Sequence, residues 1–326
     1  MQQVPCIGDY QKEIEVGIAM LRKTMEISMK GQERLTSSQV ENKSDGSPVS
    51  ICDFACQMML MKSIKDAFPN DKVYAEEDSH HDEHFLEDAM ALLPEQLDFK
   101  EICAGLLKSV PNDQRVWVID PIDGTYGFVK NGNFAIATAL LIQREVVASV
   151  VGWPRHKTEF TGLPDGPLIF VSAKGHGAYA VDQNGNFHKL MNNGNAKNAI
   201  VYSAGATPFE NNCNEYIIEK MKITEKIPMV SMTKGFVLAS GYAKAYLRIR
   251  NYEDEYVWDI APFELLVREA GGFSTTWDGK LIQYTENGIC YNSKKGLIFS
   301  FVDEEYHKEL LKAYAESYEK YFDLIK

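Results

Sequence analysis

Two aspartates, Asp120 and Asp123, stand three residues apart directly after the apolar run Val116-Trp117-Val118-Ile119, and Gly124-Thr125 follows them. A strand that delivers two carboxylates to one place forces like charges together. Divalent cations are the simplest way to keep both ionised. Pro121 is expected to fix a turn between the two acids, and Gly124-Thr125 to tighten the chain again. If a helical turn opens there, the backbone N–H groups of Gly124 and Thr125 face an anion. An ordinary Asp-rich turn is the alternative, since Asp and Gly are common turn residues.

Three other segments could bring acids to the same place. Glu76, Glu77 and Asp78 follow the strand-like Val73-Tyr74-Ala75, where a solvated acidic loop is the plain alternative. Asp259 stands at the start of an expected helix with Pro262 in its first turn, so an N-cap role competes. Asp53 closes Ser50-Ile51-Cys52-Asp53, which reads as a capping box. His80, His81 and His84, beside Asp82 and Glu83, lack a cysteine or a regular ligand spacing and read as a solvated loop. Lys174-Gly175-His176-Gly177 lacks the spacing of a nucleotide-phosphate loop and reads as a turn.

The elements that must position these residues follow from periodicity. Residues 7–30 carry Ile14, Ile18, Leu21 and Met25 at helical spacing, 31–48 read as an exposed polar loop, and 53–68 as a second helix. A short strand is expected at 71–75 and mixed, partly helical structure over 85–110. Strands follow at 116–119, 135–143, 146–153, 168–172 and 177–181, with turns at Arg144-Glu145 and at 182–186. An Asn- and Gly-rich passage at 191–197 marks a junction. Beyond it, strands at 199–203, 229–232, 245–249, 273–276 and 296–301 alternate with helices at 214–222, 235–242, 262–270 and 304–322. This gives an α+β domain, 1–195, with most candidate ligands, then a smaller α/β domain, 196–326, contributing Asp259.

A length of 326 residues fits two such units. The net charge of −12 disfavours a polymeric nucleic acid as partner. It also obliges a site for a small anionic substrate to supply its own cations, as metals or a few placed Lys and Arg. No apolar run approaches the ~18 residues a membrane span needs. Residues 1–10 have no basic segment followed by an apolar core, so no secretory signal is read there. Cys6, Cys52, Cys56, Cys103, Cys213 and Cys290 are scattered and read as reduced thiols of a cytoplasmic protein. Cys52 and Cys56 share a helical face and are expected to be buried structural thiols. A monomer is the expected state.

Taken together, three motifs resemble the signature of the inositol monophosphatase superfamily, in its order and approximate spacing. They are Glu76-Glu77 after a strand, Asp120-Pro121-Ile122-Asp123-Gly124-Thr125, and Trp258-Asp259 before a helix ending Glu269-Ala270-Gly271-Gly272. The resemblance implies a layered α/β/α/β/α sugar-phosphatase fold and a lithium-sensitive phosphomonoesterase using two or three Mg2+ ions. It matches Glu76, Asp120 and the carbonyl of Ile122 to a first metal. Asp120, Asp123 and Asp259 match a second, and Glu76 a weak third. It implies in-line attack by a metal-activated water, with Thr125 and Asp53 as the water-activating pair. A hydroxyl is no strong base at neutral pH, so a threonine in that role needs a carboxylate partner.

Within the superfamily, Asp45-Gly46-Ser47-Pro48-Val49-Ser50, Tyr126-Gly127-Phe128-Val129 and the longer loop after Glu77 look like the bisphosphate nucleotidase branch. That branch implies 3'-phosphoadenosine 5'-phosphate as substrate, with Ser231 and Lys234 near the ribose-phosphate and Arg248 beside the base. Solvated surface charge is the alternative for Lys234 and Arg248. Where the branch carries a Ser-His-Ser-type segment, this chain has Tyr202-Ser203-Ala204-Gly205-Ala206-Thr207, without histidine. An inositol polyphosphate 1-phosphatase acting on inositol 1,4-bisphosphate, or dual activity, therefore stays open. Outside the family stands a haloacid-dehalogenase-type phosphatase, whose motif spaces its aspartates two apart rather than three. The reading that is not an enzyme is a metal- or nucleotide-sensing protein of the same fold.

Overall fold

The computed structural model describes residues 8–44, 46–77, 83–94, 96–251 and 253–325. Cys6, Asp45, Asp78 and most of the histidine-rich loop, including His80, His81 and Asp82, lie outside them. His84 is exposed and lies 3.4 Å from Glu87.

Helix α1, Gln11–Arg34, buries Ile14, Ile18, Leu21 and Met25 on one stripe, as their spacing demands. It runs past the expected end at residue 30 because Gly31 serves packing rather than termination. A Cβ there would meet Cys52 Sγ at 2.5 Å. The stretch expected as loop holds a small antiparallel hairpin, β1 Val40–Asn42 and β2 Pro48–Ser50. These strands are too short to show a period in sequence. Helix α2, Ile51–Ala67, begins at the expected capping box, with Ser50 as N-cap and Asp53 reaching back to it. Cys52 and Cys56 on this helix are buried free thiols.

Strand β3, Lys72–Ala75, is followed by α3, Glu83–Ala91, and α4, Phe99–Cys103. Next come β4, Arg115–Asp123, the single turn α5, Thr125–Phe128, and the hairpin β5, Ala135–Ile142, with β6, Glu145–Trp153. The β5–β6 turn falls on Gln143 and Arg144, with φ of 53° and 57°, one residue before the expected pair. Left-handed backbone at both positions matches the twist of the flanking strands. Strands β7, Leu168–Ala173, β8, Gly177–Val181, and an unanticipated β9, Phe187–Leu190, complete a seven-stranded sheet in sequential order. Only the β3–β4 pair in it is parallel.

The later elements are β10 Ala199–Ser203, α6 Pro208–Lys220, β11 Glu225–Met229, α7 Thr233–Ala239, β12 Ala245–Ile249, α8 Val257–Glu269, β13 Phe273–Thr276, β14 Gly296–Ser300 and α9 Glu304–Tyr321. The five strands order as β11-β10-β12-β14-β13. Helix α6 starts well before residue 214 because Thr207 and Glu210 form a capping box and Pro208 opens the helix. Strand β11 lies N-terminal to its expected place. Its Glu225, Lys226 and Pro228 are exposed, so it reads as polar. Helix α8 starts at Val257 rather than 262, leaving Pro262 inside the helix and Asp259 in the first turn, with Tyr256 as N-cap.

Three apolar layers separated by the two sheets make the expected α/β/α/β/α stack. One holds α1 and α2 against the seven-stranded sheet. A middle layer holds α7 and α8 between the sheets, and α6 and α9 cover the outer face of the five-stranded sheet. Along β4 the period-two alternation is explicit. Trp117 and Ile119 face α1 and α2, whereas Val116 and Val118 face the middle layer. Asp120 therefore continues the middle-layer face, toward α8. Among the described residues no helix is long and apolar enough to cross a membrane.

Candidate metal centre

The strand does not end in a turn between the two aspartates, as the sequence suggested. It runs through both with a bulge. Asp120 pairs with Ala137 and Asp123 with Ala135, so three steps on β4 span two on β5. In an unbulged strand residues three apart point to opposite faces, and the extra residue turns Asp123 back to the side of Asp120. Pro121, which cannot donate a ladder hydrogen bond, occupies the bulge where none is needed. Gly124 then takes φ of 91°, a left-handed backbone that glycine accepts cheaply, and α5 begins. Gln32 on α1 anchors this turn, its Nε2 donating to the carbonyls of Phe128 at 2.9 Å and Gly132 at 3.2 Å.

Asp259, on the first turn of α8, joins the pair. Asp120, Asp123 and Asp259 each offer a carboxylate oxygen within 4.8 Å of the others. Asp120 is buried, and its Oδ1 has no hydrogen-bond partner. Burial, then the charges of Glu76, Asp123 and Asp259, raise the pKa of Asp120 well above the usual carboxylate range. Asp259 is pushed up to about 7 by burial, with Arg248 opposing and Asp123 reinforcing. Burial also raises Asp123, against Lys234 and the Met232 N–H that it accepts. A buried carboxylate oxygen without a donor, crowded by two further carboxylates, is the donor set a hard divalent cation requires. The residues present fit a hard divalent cation.

Glu76 stands outside that group of three, one residue beyond β3, where its N–H still donates to Ile119 O at 3.1 Å, and its charge acts on Asp120. Its carboxylate also meets a cation not anticipated from the sequence. Lys43, in the β1–β2 connection, places Nζ 2.7 Å from both Glu76 Oε1 and Glu77 Oε1. Burial disfavours the Lys43 charge, but the two carboxylates outweigh it and raise its pKa. Glu77 is buried as well, and burial, then Glu76 and Asp53, push it up to about 9. Only the polarity of residues 41–47 hinted at Lys43, and that reads equally as a solvated loop.

Asp53 and Thr125 also meet. Thr125 Oγ1 lies 3.2 Å from Asp53 Oδ1 and 3.0 Å from the carbonyl of Ile122. The other oxygen of Asp53 accepts from Ser50 N at 2.8 Å and Ser50 Oγ at 2.6 Å. Burial raises Asp53 to about 6, against those hydrogen bonds.

On the far side stands the loop joining β11 to α7. Ser231 holds φ of 62° and packs on Gly124, where a Cβ would come 2.8 Å from Ser231 Cβ. Lys234 is 4% exposed, and burial lowers its pKa to about 7 while Asp123 pulls it up. Arg248 Nε lies 2.7 Å from Glu255 Oε2, and its Nη2 lies 3.4 Å from Asp259 Oδ2. Neither cation is solvated surface charge, so that alternative is corrected for both. Their places on α7 and β12 turn them inward, beside the acids. Lys174-Gly175-His176-Gly177 forms the β7–β8 turn, and Glu269 accepts from the Gly175 and Gly177 N–H groups at 2.9 Å each.

A chain of layered α/β/α/β/α architecture, with acids from β4 and α8 converging at one strand end, defines a narrow class of fold and site. The chain belongs to the inositol monophosphatase family, whose profile matches residues 9–320. It is 30% identical to a 3'(2'),5'-bisphosphate nucleotidase 2 of Candida albicans, covering 90% of this chain and 96% of that one. It is 28% identical to a 3'(2'),5'-bisphosphate nucleotidase of Schizosaccharomyces pombe, over 90% of this chain and 92% of the other. An IMPase of Thermotoga maritima shares the fold at a TM-score of 0.66 and 23% identity, covering 94% of this chain and 98% of that chain.

Proposed function

We propose that this chain is a Mg2+-dependent phosphomonoesterase that removes the 3'-phosphate of 3'-phosphoadenosine 5'-phosphate, giving AMP and phosphate. One observation carries the reading: the three aspartate oxygens within 4.8 Å of one another, with Asp120 Oδ1 buried and unpartnered. The names of the relatives, 3'(2'),5'-bisphosphate nucleotidases, support the substrate class.

Asp120, Asp123 and Asp259, with Glu76 and the carbonyl of Ile122, would hold the cations. When bound, divalent cations there supply neutralisation of phosphoryl charge and a lowered pKa for water. The rest falls to side chains. Thr125 carries a single hydroxyl proton and faces two acceptors, Asp53 Oδ1 and Ile122 O. If a bound cation took up the Ile122 carbonyl, that proton would turn to Asp53, leaving the Thr125 lone pairs to accept from a water. Asp53, raised to about 6, is a better proton acceptor than an ordinary aspartate, and Ser50 holds it in place. Arg248 supplies buried positive charge beside Asp259, and Lys234, lowered to about 7, would gain charge from a bound anion. Ser231 offers a hydroxyl where it packs on Gly124, whose backbone would orient a phosphate ester.

The segment Tyr202-Ser203-Ala204-Gly205-Ala206-Thr207, without histidine, supports a second reading in which inositol 1,4-bisphosphate is the substrate or a co-substrate. Phosphate release from the two compounds at equal Mg2+ separates them. Faster release from the nucleotide is expected. Release from the inositol ester alone transfers the assignment to the second reading, and release from neither overturns both.

A further inference from the structure

We propose that Gln57 is a positioning residue for the Glu76 side of the cation site, acting through the backbone of Glu77. The inference rests on the proposed use of that site. Gln57 is 2% exposed, and its amide is committed to one neighbour. Nε2 donates to Glu77 O at 2.8 Å, and Oε1 accepts from Glu77 N at 3.2 Å. Pairing of this kind is what an adjacent strand would supply. The β3–β4 ladder does not supply it, because its last bond is Glu76 N to Ile119 O, one residue earlier. Gln57 thus extends the ordered backbone past the end of β3 and satisfies two polar groups next to a buried side chain.

The consequence is directional. With the Glu77 backbone fixed, Glu76 and Glu77 present their Oε1 atoms to one point, each 2.7 Å from Lys43 Nζ. Gln57 stands four residues after Asp53 on α2, so the two share a helix face. The opening turns of α2 therefore set both the Asp53–Thr125 pair and the approach of Glu76. Groups that orient a ligand without touching the metal typically change affinity by about 10–100-fold when removed.

The test uses the full chain with Gln57→Met, which keeps the volume and loses the amide, and Gln57→Asn, which keeps the amide one methylene too short. Mg2+ binding is measured by calorimetry without substrate, alongside Tm and the Mg2+ dependence of kcat. Both variants are expected to bind Mg2+ roughly tenfold or more weakly, with excess Mg2+ restoring most of kcat. A merely structural role predicts a lower Tm with unchanged Mg2+ affinity. Wild-type affinity in whichever variant folds overturns the proposal. If the wild-type chain itself takes up no Mg2+, the reading of the site has failed, and Gln57 with it. If the wild type binds and the variants bind equally, only Gln57 is refuted.

Discussion

Asp120 and Asp123 lie at an odd interval on one strand yet face the same side, because the chain between them carries one residue more than its partner segment from Ala135 to Ala137. That bulge converts a sequence interval into a pair of ligands, and Asp259 on α8 completes the set. Placing like charges this way costs stability unless something neutralises them, as the raised pKa values of all three aspartates express.

Replacing Asp123 by Asn keeps the shape and the acceptor for the Met232 N–H but removes one charge. Turnover should fall by roughly a thousandfold or more, about 4 kcal/mol of transition-state stabilisation. Steady-state phosphate release checks this, and wild-type activity in the variant refutes the assignment.

Thr125→Ala removes the hydroxyl between Asp53 and Ile122 while leaving the backbone that faces the substrate. We expect kcat to drop by about 10²–10⁴-fold with little change in KM. A rise in KM at unchanged kcat would contradict the proton-relay role.

Lithium at millimolar concentration is expected to inhibit, as the family resemblance implies. Dose–response curves at fixed Mg2+ decide it, and complete insensitivity would point away from the bisphosphate nucleotidase branch.

His307 offers a test of the fold separate from the site. Its ring nitrogens lie 2.9 Å from Thr275 Oγ1 and 2.8 Å from Ser300 Oγ, and burial lowers its pKa to about 4. The unfolded chain, with a His pKa of about 6.5, binds the proton first as pH falls. Stability from neutral His307 is therefore fully present above about pH 6.5 and is lost between there and about pH 4, by up to ~3 kcal/mol. Denaturant unfolding of wild type and His307→Gln across this window should show the wild type's advantage shrinking with acidity. Parallel pH curves would rule this out.

The hairpin strands β5 and β6 and the capping box at Ser50 were legible because their signals are local: apolar runs around a turn, and a Ser three residues before an Asp. The acids Asp120, Asp123 and Asp259 were legible through motif resemblance, yet the bulge was not, since register depends on a partner strand. Lys43 and Gln57 escaped notice for a related reason. A lysine in a polar stretch and a glutamine in an apolar helix carry no pattern of their own, and their meaning comes from Glu76 and Glu77, brought beside them by folding. For Lys234 and Arg248, substrate contact and solvated surface charge stood level in the sequence, and burial on the helix and sheet that carry them rules out the second.

Phosphate release from 3'-phosphoadenosine 5'-phosphate, followed in Mg2+ and again after excess EDTA, asks most directly whether the converged acids hold a metal for hydrolysis. We predict release that requires Mg2+, stops on chelation and resumes when Mg2+ is restored. Release that continues undiminished in EDTA, or none in saturating Mg2+, would contradict it.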